Sequence, residues 1–286
     1  MKTSSFFRTV TVATALFITS TTLQAHQLVL GANDYLLTYP SEIPGALTVY
    51  VYASFGHKFP IDEPLTDERF GGITLLSPGS PAAPVATAKD GYRSGMIELA
   101  RTGVYWLTSV NRPMFSTRLK NAAGKMEYVA KPKNEVVVPK DRTLAEGTLI
   151  NDCGKTLIYV AGASPDETWL QKPVGQPIEI VPLANPATLA KGDVLPVQVW
   201  LHGKPYQGDP IEIAAEHVVA PYIDAGLWTG KTDKNGQIKV PLALPGVWKL
   251  LVIVSEPAPK ELVPRADVIR YRATLTFEVP GAKKIE

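Results

Sequence analysis

Leu47-Thr-Val-Tyr-Val-Tyr-Ala-Ser-Phe55 is the stretch that decides the fold. Leu47, Val49, Val51, Ala53 and Phe55 alternate with less apolar neighbours, and period two is the mark of a strand with one buried face. Leu195-Pro-Val-Gln-Val-Trp-Leu201 repeats the pattern through Leu195, Val197, Val199 and Leu201. Similar runs occupy 104–110, 135–138, 156–160, 211–218, 238–242, 247–254 and 273–279. Twenty-five prolines and 22 glycines interrupt the chain between them. Apolar stripes at helical spacing are hard to find. Many short alternating strands with frequent turn residues predict an all-β protein of antiparallel sandwiches.

The stretch 161–175, rich in turn residues and without alternation, separates two halves. We expect an N-terminal β domain over 26–162, a linker at 163–175 and a C-terminal Ig-like or transthyretin-like sandwich over 176–286. In the second half, Asp233-Lys-Asn-Gly236 reads as a tight turn, because Asn and Gly tolerate positive φ. In the first half, a loop from Gly56 to about Gly72 is charged and proline-rich, and a long ordered loop in a compact domain is often functional.

Residues 1–25 read as a secretory leader. Lys2 and Arg8 precede the apolar run Val10-Thr-Val-Ala-Thr-Ala-Leu-Phe-Ile18, and Leu23-Gln-Ala25 is an acceptable cleavage site. The run is shorter than the roughly 20 residues that a spanning helix needs. Cleavage after Ala25 would send the chain to the periplasm with His26 at its start. The whole chain has 29 basic and 27 acidic residues, and the leader holds two of the bases and no acid, so the mature chain is formally neutral. Overall neutrality gives no footprint for nucleic acid or for an anionic membrane, and no later apolar run predicts insertion. Cys153 is alone, so no internal disulfide forms. Its neighbours Asn151, Asp152 and Gly154 supply no activating His, and we read it as structural.

The chain has four histidines, and one of them follows the cleavage site. A terminal His carries a free α-amine beside its imidazole, a ready bidentate nitrogen chelator for Ni, Co, Cu or Zn. His57, in Gly56-His-Lys-Phe-Pro60, sits just past a strand end, where the sheet holds it and solvent reaches it. Asp62 and Glu63 could serve as carboxylate ligands or as acceptors for an imidazole N–H. His217 alternates with Ile211, Ile213 and Ala215 on an apolar face; it is either a core His bonded to a backbone carbonyl or a ligand reaching an interdomain pocket. His202 falls in the turn-rich Leu201-His-Gly-Lys-Pro205 and reads as a solvated turn residue. The expected metal group is therefore His26, His57, His217 and Asp62. Its nitrogens must be neutral to bind, so affinity should weaken below about pH 7.

No Gly-x-Ser-x-Gly elbow, His-Glu-x-x-His, phosphate loop or dinucleotide fingerprint is present, and we expect no enzyme. Two other readings stay open. A terminal His with a second His on a β-sandwich is similar to the copper brace of lytic polysaccharide monooxygenases, although no flat aromatic face accompanies it. A non-catalytic binding module for a protein or glycan partner needs no metal at all.

His26-Gln-Leu-Val-Leu30, Phe55-Gly-His-Lys-Phe-Pro60 and Glu179-Ile-Val-Pro-Leu-Ala-Asn-Pro186 occur here in a telling order. They are followed by Val197-Gln-Val-Trp-Leu-His-Gly-Lys-Pro-Tyr-Gln-Gly208, Thr232-Asp-Lys-Asn-Gly-Gln237, Pro245-Gly-Val-Trp248 and Ala273-Thr-Leu-Thr-Phe-Glu-Val279. Together they resemble an exported family of unknown function associated with periplasmic nickel or cobalt uptake, over nearly the whole mature chain. The resemblance implies a periplasmic β-sandwich protein that binds nickel or cobalt, with copper a further option, and delivers it to a membrane transporter. Family members often carry a further His on the strand after Pro-Gly-x-Trp. Here Leu250-Leu-Val-Ile-Val-Ser-Glu256 has none, and Glu256 or His217 would have to substitute.

Overall fold

A computed structural model describes residues 26–39, 45–162, 165–219 and 227–281. The leader read at 1–25 lies outside the described residues. Among those described there is no α-helix, only 3-10 turns at Lys133–Glu135 and Pro186–Thr188. No helix there is long and apolar enough to cross a membrane.

The predicted strand 47–55 forms as Leu47–Gly56, buried at Val49, Val51, Ala53 and Phe55, and it is the middle strand of three. Gln27–Ala32 pairs antiparallel on one side and Gly95–Leu99 on the other. A second small sheet holds Ile178–Pro182, Val194–Leu201, Lys204–Pro205 and Gln237–Pro241. Between the two runs an 11-stranded sheet, with Gly246–Pro257, Val268–Val279, Arg142–Ala161 and Gly103–Val110 in adjacent order.

The middle sheet is packed on both faces. Tyr105, Leu107, Ile158 and Val160 face a cluster with Leu28, Leu30, Val51 and Phe55. Val104, Trp106, Leu157 and Tyr159, one residue out of step, face a cluster with Ile180, Val197, Val199, Trp248 and Phe277. Successive side chains of a strand point to opposite faces, so a strand covered on both sides must be apolar without alternation. Leu157, Ile158, Tyr159, Val160 and Ala161 are such a run, all buried. The architecture is an all-β sandwich whose central sheet serves two cores.

Arg142–Ala161 carries this sheet across the expected division at 163–175. It pairs in parallel with Val268–Val279, from the far end of the chain, over Thr148–Thr156. It also pairs antiparallel with Gly103–Val110 in the first half. Leu170, within the stretch read as a linker, is buried in the cluster with Trp106 and Phe277.

Candidate metal site

The strand Gln27–Ala32 is an edge strand of its own sheet, so one row of its backbone groups lacks a strand partner. The central sheet beneath supplies partners. Thr274 donates its hydroxyl to the Leu28 carbonyl at 2.5 Å and Thr156 to the Leu30 carbonyl at 2.7 Å, both bonds buried. Gly154 lets the strand settle close, since a Cβ there would lie 3.1 Å from Leu28 Cγ. At the strand's first residue the buried Lys249 donates to Gln27 Oε1 at 2.7 Å and pairs with Glu216 at 2.8 Å. A buried ammonium holding two oxygens fixes the start of the strand, and His26 is the residue just before it.

Register then brings the two histidines together. Gln27 faces Gly56 in the antiparallel ladder, so the next pair outward is His26 and His57. Their ring centroids lie 4.2 Å apart at 61°. His26 also stacks on Phe55 at 5.4 Å and 21°. Gly56 has φ +144°, and a Cβ there would sit 2.5 Å from Asp62 Oδ2. The chain turns through this glycine and comes back, so that Glu63 and Phe55 exchange backbone bonds of 2.8 and 3.1 Å. That return sets Glu63 Oε1 3.1 Å from His26 Nε2.

Asp62 has another task. Its Oδ2 accepts the backbone N–H of His57 at 2.7 Å and of Lys58 at 3.0 Å. Burial works to raise this carboxyl, but those N–H bonds outweigh it and hold it below the ordinary carboxylate range. Asp62 therefore shapes the loop, and the carboxylate bonded to an imidazole is that of Glu63. Burial lowers the His57 imidazole below its usual range, and the neighbouring His26 adds to this against the opposing Asp62 and Glu63. The neutral form is thereby favoured near neutral pH.

His217 is not part of this group. It is buried at 1% exposure, its Nε2 donates to the Pro245 carbonyl at 2.9 Å and its Nδ1 accepts from Val219 N at 3.2 Å. Both ring nitrogens are occupied, and its edge packs on Trp248 in the core on the far side of the sheet from Glu216. Its inclusion in the metal set is corrected: the apolar periodicity marked a core histidine. His202 and Glu256 pair with each other at 2.9 Å, and His202 stands edge-on to Tyr271, so neither joins His26 and His57. Cys153 is buried in the core, and burial pushes its thiol up to about 12, which keeps it protonated.

Sequence reading passed over what lies beside Phe55. Asp152, buried, binds Arg69 at 2.5 Å and Arg272 through two bonds, one of 2.8 Å. The Arg69 guanidinium sits 3.9 Å from the Phe55 ring centroid. These partners come from three distant parts of the chain, and no local pattern announces them. The side chains present suit a borderline ion: two imidazoles with a carboxylate bonded to one of them. Among the described residues no group of three or more His, Cys, Asp or Glu converges as a ligand set. A third donor would have to come from elsewhere.

Among solved structures, the match to the D0-D1 domain of Intimin covers 89% of this chain and 100% of that one, at 12% identity and TM-score 0.21. Fibronectin(III)-like modules of Clostridium thermocellum CbhA match over 90% of this chain and 97% of theirs, at 8% identity and TM-score 0.23. A tetra-tandem repeat from the extending region of a large adhesion protein matches over 89% and 74%, at 9% identity and TM-score 0.19. At such scores these likenesses carry no argument about this chain. No curated protein sequence matches it. A family model described as a domain of unknown function, DUF4198, matches residues 23–256, and the chain belongs to that family.

Proposed function

We propose that this protein is an exported carrier of a transition-metal ion, nickel or cobalt first and copper as the alternative, which it hands to a membrane uptake system in the periplasm. The observation that carries the reading is the register pairing of His26 with His57, directly after a leader-like segment. Cleavage after Ala25 would free the α-amine of His26. Amine and imidazole of one residue and the imidazole of the other make three neutral nitrogens, a set that favours Ni(II) or Cu(II). Glu63 would orient the His26 ring as a hydrogen-bond acceptor. Asp62 would hold the His57 loop in place through the backbone.

The test is N-terminal sequencing and intact mass of the exported protein, with metal content measured on the same sample. A chain that starts at His26 and retains close to one equivalent of nickel, cobalt or copper is expected. One residue added before His26, or His57→Ala, should lower affinity at least about tenfold with the circular dichroism spectrum unchanged. A chain cut elsewhere, or one cut at His26 that stays empty when offered these ions, overturns the reading.

A further inference from the structure

The histidine site leaves one part of the molecule unexplained. Met114–Asn121 pairs with the first half of Arg142–Ala161 and folds back as Met126–Val129, which pairs with Met114–Asn121 on its outer side. Met126–Val129 pairs with no other described strand, so this arm ends in an open edge. From Arg112 to Arg142 there are eight basic and three acidic residues, in a chain whose net charge is only +2. Arg142 already binds two of the three acids, Glu127 and Asp141. Arg118 and Lys133 find partners outside the stretch, in Glu146 and Asp267. Lys120, Lys125, Lys131 and Lys140 are all exposed, and no salt bridge among the described residues neutralises them.

The same arm concentrates exposed apolar side chains. Of the 11 large hydrophobic residues exposed among the described ones, five lie here: Met126, Tyr128, Val137, Val138 and Leu144. Tyr128 is 67% exposed and Val137 91%. Met126 faces Lys120 and Tyr128 faces Arg118 across the ladder, so these two apolar tips and two cations share one face, while Leu144, paired with Leu119, lies on the other.

We propose that this arm is a peripheral docking surface for an anionic phospholipid bilayer. Exposed Met126 and Tyr128 beside Lys120 and Arg118 match a lipid interface, where apolar tips enter the headgroup region and cations meet lipid phosphates. An acidic peptide added to the open edge suits the arm less well. The edge strand is four residues long, and Lys125 and Lys131 flank it, which is how proteins discourage strand addition. A net charge of only +2 over the whole chain hides the site, because acidic residues elsewhere offset this stretch of eight basic and three acidic residues.

The test is co-sedimentation of the leaderless chain from His26 onward, which keeps every described strand, without added metal. Vesicles of phosphatidylcholine alone are compared with vesicles that also contain phosphatidylglycerol. Binding to the anionic vesicles only, weakening as salt rises, is expected. Each lysine near such a surface is worth about fivefold in partitioning. Lys120→Gln, Lys125→Gln, Lys131→Gln and Lys140→Gln together should therefore reduce binding at least about a hundredfold. Met126→Ser with Tyr128→Ser and Val137→Ser should reduce it about tenfold at constant charge, and all these positions are exposed, so circular dichroism should not change. No sedimentation with anionic vesicles at low salt overturns the proposal, as does equal binding by the lysine variant. Saturable binding to polyglutamate without vesicle binding overturns it too, and assigns the arm to an acidic protein partner. None of these outcomes depends on metal, so the carrier reading stands or falls separately.

Discussion

Gly56 shows how one backbone position shapes the site. Its φ of +144° suits glycine, and a Cβ would strike Asp62 Oδ2 at 2.5 Å. That oxygen cannot move aside without releasing the N–H groups of His57 and Lys58. Gly56→Ala should cost about 1–3 kcal/mol of stability, read from the denaturant midpoint, and should weaken the proposed metal binding by displacing His57. The histidines also set a pH dependence. Burial depresses both His57 and His217, with His26 contributing at the first and the Pro245 hydrogen bond opposing at the second. The unfolded chain then binds more protons than the native one below the ordinary His value of about 6.5. Stability should be level above that pH, fall as pH drops toward the depressed folded values, and level off beneath them before the carboxylates titrate. Denaturation midpoints between pH 7.5 and 5.5 check this, and His57→Gln with His217→Gln should flatten the slope.

The strand Gln27–Ala32 depends on partners that no local pattern reveals. Its alternation is hidden because all six residues are buried. Its open edge is closed by hydroxyls of Thr156 and Thr274, 126 and 246 positions beyond the carbonyls they bind. Thr156→Val with Thr274→Val keeps the shapes and removes both donors, leaving two buried carbonyls unsatisfied. The pair should cost about 1–3 kcal/mol for each lost bond and speed amide exchange in 27–32. The proposed metal affinity should fall with it, because His26 takes its position from this strand. His57 was legible from sequence as a strand-end residue. The sequence reading grouped it with His26 as ligands, but their place as facing residues of one ladder is a matter of register, which depends on which strands pair and on the count of residues between them. The same reason explains Glu63: the neighbouring carboxylates at 62 and 63 are equivalent in sequence, and the turn at Gly56 decides which reaches the imidazole.

Across the whole molecule, one sheet joins both halves of the chain. Val104 and Trp106 share a core with Phe277 and Val279, and 142–161 is paired along its length with strands from both ends. Residues 26–162 expressed alone would expose the face of that sheet that now packs on Ile180, Val197 and Trp248. We expect this fragment to lack a cooperative melt by calorimetry, and the chain from His26 onward to unfold in a single transition. Two separate transitions, or a fragment with dispersed amide resonances, would show that the halves fold independently.

The alternation of Leu47–Gly56 and its counterparts determined that the protein is built from strands, because period two is enforced residue by residue by the geometry of the pleat. Tertiary structure alone decided that one sheet serves two cores, that His26 stands opposite His57, and that His217 turns away into the core. Each of these follows from contacts between residues far apart in the chain, which sequence periodicity does not encode.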